Sequence, residues 1–196
     1  APVLPASYRE SRYVFLGNID PKLQLDILAQ VREPKIVALD TMNFWIGKSP
    51  QLLREVIRSV DIVVINEAET RELTGEFNLI RAARKLMRMG PGRVVIKRGE
   101  YGVLLLSDGE IFAAPAYPLE TIFDPTGAGD SFAGGVMGYL ASKDGSGLTE
   151  MDYRRATMYG SAIASFTRRA ISSLATLRIS SPKATFLATL ICGNSA

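Results

Sequence analysis

The feature that most constrains this chain is a regular alternation of short apolar runs with longer amphipathic stretches over its first hundred residues. Runs at Tyr13 to Leu16, Lys35 to Leu39 and Asp61 to Ile65 are too short for helices, and the last two are rich in Val and Ile. Between them, Pro21 to Val31 and Ser49 to Ser59 carry helical periodicity. Asp20 before Pro21, and Ser49 before Pro50, supply an N-cap residue followed by a proline in the first turn. Parallel strands cannot be joined by a tight turn, so strand, helix and strand in succession predict a parallel sheet. Asn66 and Glu67 open a short helix that stops near Gly75, and Asn78 to Met89 forms another that ends at Gly90-Pro91-Gly92.

The pattern then changes. Arg93 to Ile96, Gly102 to Ser107 and Glu110 to Ala114 are three short β-rich runs, the last two joined by a hairpin turn at Ser107-Asp108-Gly109. Two helices follow, Gly129 to Ser142 and Thr149 to about Phe166. The expected fold is α/β: a single Rossmann-like domain over residues 1–196, with a doubly wound, mostly parallel sheet flanked by helices and a β-meander before the helix at Gly129.

Composition excludes several function classes. The longest apolar runs, such as Val103 to Leu106, are far too short to cross a bilayer, and no signal peptide opens the sequence; the expectation is a cytoplasmic protein without a membrane partner. The single cysteine, Cys192, has no internal disulfide partner. There is no histidine, so any general base must be Asp, Glu, Lys, Tyr or Cys. Six of the 23 basic residues and none of the 20 acidic ones lie from Tyr153 onward, so the basic balance belongs to the tail. No basic cluster is interleaved with aromatics in the body of the chain, which argues against a nucleic-acid partner.

Three segments could carry chemistry. Gly127-Ala128-Gly129-Asp130 stands at the entrance to a helix, where small residues let a phosphate approach and the free N–H groups stabilise its charge. A carboxylate placed there can accept the proton of an attacking hydroxyl; the plainer alternative is a Gly-rich cap with Asp130 complementing the helix dipole. Asn66-Glu67-Ala68-Glu69 directly follows a buried strand, at the carboxyl edge where α/β sheets bind ligands. By itself it reads as an Asn cap followed by solvated glutamates on a helix. Lys97-Arg98-Gly99-Glu100-Tyr101-Gly102 is, by itself, a glycine-containing turn after a strand.

The stretch from Asp124 to Gly135, reading Asp-Pro-Thr-Gly-Ala-Gly-Asp-Ser-Phe-Ala-Gly-Gly, closely resembles the second signature of the ribokinase-type PfkB carbohydrate kinases, and Asn66 to Glu69 matches that family's Asn-x-x-Glu motif. The resemblance implies a ribokinase-like fold and an ATP-dependent phosphotransferase acting on a hydroxyl of a sugar or nucleoside. It implies that Asp130 is the general base, that the N–H groups at Gly127, Ala128 and Gly129 form an anion hole, and that Asn66 and Glu69 organise Mg²⁺. Lys97, Gly99, Gly102 and Thr126 would border the nucleotide, with small residues around Tyr159, Gly160 and Ala162 near the adenine. In many relatives the region after Phe166, together with the backbone near Asp124 and Thr126, helps bind a K⁺ ion beside the anion hole, so K⁺ is a further cofactor that the resemblance implies. Phe44 stands where many relatives carry arginine, which counts against a phosphate contact at that point, and Trp45 is either a packing residue or part of a substrate pocket.

The resemblance runs from about Tyr13 to Phe166 and covers only the second half of such kinases. Their first half supplies most acceptor-binding residues and a lid through which dimers form. A homodimer is therefore an expectation for the full protein, and weak or absent activity an expectation for these 196 residues alone. Thr167 to Ala196, with nine Ser or Thr and no acid, departs from the family's ending. A non-catalytic nucleotide-binding regulator on the same fold is the alternative function. Such a protein would most readily lose the base at Asp130, which is present.

Overall fold

The computed structural model describes residues 2–120, 126–143 and 147–167. Asp124 and Pro125 of the Gly-rich signature, the tail beyond Thr167 and most of the region tied to K⁺ lie outside the described residues. The elements run α1 (Ala6–Arg9), β1 (Tyr13–Leu16), α2 (Pro21–Leu28), β2 (Ile36–Asp40), α3 (Asn43–Lys48), α4 (Pro50–Arg58), β3 (Ile62–Asn66), α5 (Glu67–Thr74), α6 (Leu79–Met87), β4 (Arg93–Lys97), β5 (Val103–Ser107), β6 (Glu110–Ala114), α7 (Ala128–Ser142) and α8 (Glu150–Thr167). The six strands form one sheet in chain order. β1 to β4 are parallel, whereas β5 and β6 turn back as the expected antiparallel meander.

Each strand divides its side chains between two cores, as the period of two requires. Val14 and Leu16, Val37 and Leu39, Val63 and Ile65, and Val94 and Ile96 face one side. There they meet Ile27 of α2, Leu53, Val56 and Ile57 of α4, and Ala83 and Leu86 of α6. Tyr13, Ile36, Ala38, Ile62, Val64 and Val95 face the other, against Phe132, Val136, Met137 and Leu140 of α7 and Ala156 of α8. Because both faces are covered, the parallel strands read as continuous apolar runs, which is why they are visible in the sequence.

Of the helix starts that the sequence marks with a capping residue, Asp20 and Asn78 behave as expected and Ser49 does not. Asp20 accepts a hydrogen bond from the Lys22 N–H at 2.9 Å, and Asn78 accepts from both Ile80 and Arg81 at 3.1 Å. Ser49 occupies the cap position of α4 but its side chain makes no capping bond, so the expected serine cap is absent and Pro50 alone marks the start. α2 stops at Leu28 rather than Val31. Just beyond it, Gln30 spends its amide on the Asp26 and Pro2 carbonyls and on the Leu4 N–H, pinning the N-terminal segment. α1 and α3, four and six residues long, are additions that the sequence pattern does not announce.

α7 and α8 pack closely because glycine faces glycine. A Cβ at Gly135 would stand 2.9 Å from the Gly160 Cα, and one at Gly160 would stand 2.7 Å from the Phe132 carbonyl oxygen. Gly134 has open space around it, so of the two adjacent glycines Gly135 is the one the contact requires. Gly135→Ala is expected to force the helices apart and to destabilise the fold by about 1–3 kcal/mol. Urea unfolding should show it as a lowered midpoint with an unchanged slope.

Candidate active site

Three parallel strands end in polar residues at one edge of the sheet: Asp40 closes β2, Asn66 closes β3 and Lys97 closes β4. Asn66 and Lys97 are register partners. Above this edge lies the N-terminus of α7. Gly127 caps it with φ +76°, a left-handed conformation that favours glycine, and Ala128, Gly129 and Asp130 form the first turn. The Ser131 N–H closes onto the Gly127 carbonyl at 2.9 Å. The amides of Ala128, Gly129 and Asp130 precede the first intrahelical bond and have no partner within the helix. Asp130 is exposed, and its side chain makes no hydrogen bond or ion pair with another described residue.

Lys97 connects the strand ends to this helix. Its Nζ lies 3.0 Å from Asp40 Oδ2 and 3.3 Å from where a Cβ on Gly129 would sit. Asp40 is nearly enclosed, and its other oxygen accepts the Thr41 N–H at 2.9 Å. Burial raises the Asp40 pKa above the usual aspartate value; the Lys97 charge and hydrogen bond oppose that rise, and the charge of Asp130 adds to it. No local pattern marks Asp40, 57 residues away, as the partner of Lys97.

Asn66 and Glu69 interlock as a capping box. Asn66 Oδ1 accepts the Glu69 N–H at 2.8 Å, and Glu69 Oε2 accepts the Asn66 N–H at 3.0 Å. The Asn-cap alternative is thus realised, although Glu69 is buried rather than solvated. Burial raises its pKa, with the Asn66 N–H opposing and the Asp40 charge adding to the rise. Glu67 pairs with Arg71 at 2.7 Å and Arg98 at 3.1 Å. Among the described residues there is no cluster of three acidic, histidine or cysteine side chains that could cage a metal. A buried carboxylate with one oxygen outside the cap, beside a second carboxylate, suits Mg²⁺ held largely by water and phosphate oxygens.

A cleft of about 250 Å³ opens beside this edge. It brings together Asn66, Lys97, Gly99, Gly102, Ala128 and Gly129 of the predicted site residues. Thr126, Gly127, Asp130 and Glu69 are not among its lining residues. Gly99 adopts φ +60° in a single 3₁₀ turn, and Gly102 adopts φ +87° where a Cβ would collide with the Ala114 carbonyl, 2.0 Å away. The glycine at 102 is therefore required by the meander itself. The far wall comes from Ala116, Tyr117 and Leu119 after β6, and from Ser161, Ala164 and Ser165 of α8. Of the residues around that part of α8, Tyr159 is exposed beside Tyr139 and Gly160 packs into α7. Trp45 hydrogen-bonds Asn18 at 3.0 Å and stacks edge-on to Phe44, tying the β1 and β2 ends together outside the cleft.

This architecture, a mostly parallel sheet with a glycine-capped helix end over its carboxyl edge, is the ribokinase-like α/β fold. Ribokinase from Thermotoga maritima superposes with a TM-score of 0.68 at 24% identity, covering 84% of this chain and 52% of that one. The chain belongs to the pfkB family of carbohydrate kinases, whose profile matches residues 8–178. It is 40% identical over 139 residues to the cytidine kinase of Thermococcus kodakarensis, covering 68% of this chain and 49% of that protein. It is 29% identical over 160 residues to the nucleoside kinase of Methanothermobacter thermautotrophicus, covering 81% and 48%. The chain spans about half the length of these relatives. No helix among the described residues is long and apolar enough to cross a membrane.

The capping box can be tested separately from any chemistry. Asn66→Ala should cost about 1 kcal/mol of stability through the lost cap, whereas Glu69→Gln keeps an oxygen for the Asn66 N–H. Folding raises the Glu69 pKa above its ordinary 4.5, so the folded state binds that proton more tightly and Glu69 subtracts stability as pH rises through the interval above 4.5. The Glu69→Gln variant should therefore lose less stability than the parent between about pH 4.5 and 7, read from denaturant midpoints across that range.

Proposed function

We propose that this chain carries the phosphoryl-transfer centre of an ATP-dependent kinase whose acceptor is a hydroxyl of a nucleoside or a related sugar. The observation that carries the proposal is the first turn of α7, where Ala128 and Gly129 line a cleft together with Lys97 and the next residue, Asp130, stands exposed at the same helix end. Phosphoryl transfer asks the protein chiefly for positioning and electrostatic stabilisation, and these groups supply both. The backbone N–H groups from Gly127 to Gly129 and the helix dipole would stabilise charge on the transferring group, with Lys97 beside them. Asp130 would take the proton of the attacking hydroxyl. It is exposed at the helix end and free of competing partners among the described residues, as a base that must meet an incoming substrate needs to be.

Gly99, Gly102 and Thr126 would border the nucleotide. The cleft wall formed by Tyr117, Leu119, Ala164 and Ser165, apolar with hydroxyls interspersed, suits the base of that nucleotide. Asn66 and Glu69 would hold Mg²⁺ through its water; the ion, when bound, neutralises phosphate charge. A nucleoside acceptor is favoured over a simple sugar because the relatives with the similarity given above are named as cytidine and nucleoside kinases.

Asp130→Asn tests the base. In the full-length protein, affinity for ATP should stay within about threefold of the parent, while turnover with cytidine or another nucleoside falls by about 10²–10⁴-fold. Unchanged turnover would remove Asp130 from the mechanism, and turnover with hexoses but not nucleosides would redirect the acceptor assignment.

A further inference from the structure

Resting on the phosphoryl-transfer proposal, we infer that Asp40 is a positioning residue: it holds the Lys97 ammonium against the first turn of α7, where the phosphates of a nucleotide would arrive. Lys97 is on the wrong end of a helix by charge alone. The N-terminus of α7 is the positive end of its dipole, and a cation 3.3 Å from a Gly129 Cβ position is disfavoured there unless an anion accompanies it. Asp40 is that anion in the free protein. Its side chain is 8% exposed and fixed by the Thr41 N–H, whereas the long Lys97 side chain is 21% exposed and could otherwise swing into the open cleft.

The packing around the pair explains why its geometry is firm. Asp40 ends β2 and Lys97 ends β4, with β3 between them, so the ion pair spans a strand whose own last residue, Asn66, is locked in the capping box. Asp40 also feels the charge of Asp130 across the site. The ammonium, paired with Asp40, thus lies beside amides that have no partner within their helix. An arriving phosphate would find both positive sources, the lysine and the helix end, already aligned. Neither Asp40 nor its coupling to Lys97 follows from the Gly-rich or Asn-x-x-Glu motifs.

The test is a double-mutant cycle on the full-length protein, read by calorimetric binding of a non-hydrolysable ATP analogue with Mg²⁺. Lys97→Met is introduced into the parent and into Asp40→Asn. With Asp40 present, Lys97→Met should weaken binding by about tenfold or more, because the positioned cation is lost and a bare carboxylate remains near the phosphates. In the Asp40→Asn background, the same change should weaken it by less than about threefold, since an unheld lysine contributes little. Equal losses in the two backgrounds would overturn the inference. A larger loss in the Asp40→Asn background would also overturn it, by showing that Asp40 only competes with the phosphates. If Lys97→Met does not fold, Lys97→Gln, which keeps a donor for Asp40, takes its place in the cycle. A parent protein that binds no analogue would refute the phosphoryl-transfer proposal itself and the positioning role with it; a parent that binds, with additive variants, refutes the positioning role alone.

Discussion

A parallel sheet covered on both faces leaves its polar side chains one place to go, the ends of its strands. Here β2, β3 and β4 are apolar through their middles and then place Asp40, Asn66 and Lys97 at their last positions. Asp40 is buried and Asn66 and Lys97 are half-buried, and neighbours satisfy them: Asp40 and Lys97 pair with each other, the Thr41 amide also bonds Asp40, and the capping box holds Asn66. The polar edge is therefore a consequence of the same burial that stabilises the sheet. A buried ion pair contributes little net stability, because desolvation offsets attraction; what it does supply is a fixed position for two charges.

That edge becomes a site only because α7 is aimed at it. The aim depends on α7 lying flat against the sheet through Phe132, Val136 and Leu140, and on α8 pressing it there through the Gly135 and Gly160 contact. With the helix body fixed, the left-handed Gly127 sets where the first turn begins. Small shifts in this packing would move the helix amides relative to Lys97, and electrostatic stabilisation of a transferring group is sensitive to such displacements. Core packing and site geometry are thus one mechanical problem.

The sheet and most helices are legible in the sequence for a physical reason: buried parallel strands are continuous apolar runs, and Asp20, Asn66 and Asn78 announce helix starts by the bonds their side chains make. Ser49 shows the limit of that reasoning, since a residue type suited to capping can occupy the position without making the bond. α1 and α3 are illegible because four and six residues cannot display a period. In the site, glycine-rich segments announce themselves, but partners distant in sequence do not. Nothing around Asp40 signals Lys97, and nothing in the aperiodic loop after β6 signals that Tyr117 and Leu119 form a cleft wall. The cleft-facing side of α8 escapes a reading of the sequence because small residues surround it at Gly160, Ser161, Ala162 and Ala164, leaving no apolar stripe to orient it.

The capping box at Asn66 and Glu69 bears on the metal role proposed for the same two residues. The cap uses one oxygen of each side chain and one backbone amide of each residue, leaving Asn66 Nδ2 and Glu69 Oε1 outside it. Those leftover atoms do not wander, because the reciprocal bonds fix both side chains to the first turn of α5. A solvated glutamate would have to be ordered when a cation and its waters arrived, with a loss of rotamer freedom at that moment. A capped and buried one has already lost it on folding. The raised pKa of Glu69 fits this view: burial disfavours its charge in the absence of a cation, so a positive partner at that position would relieve a strain that the fold has already built in.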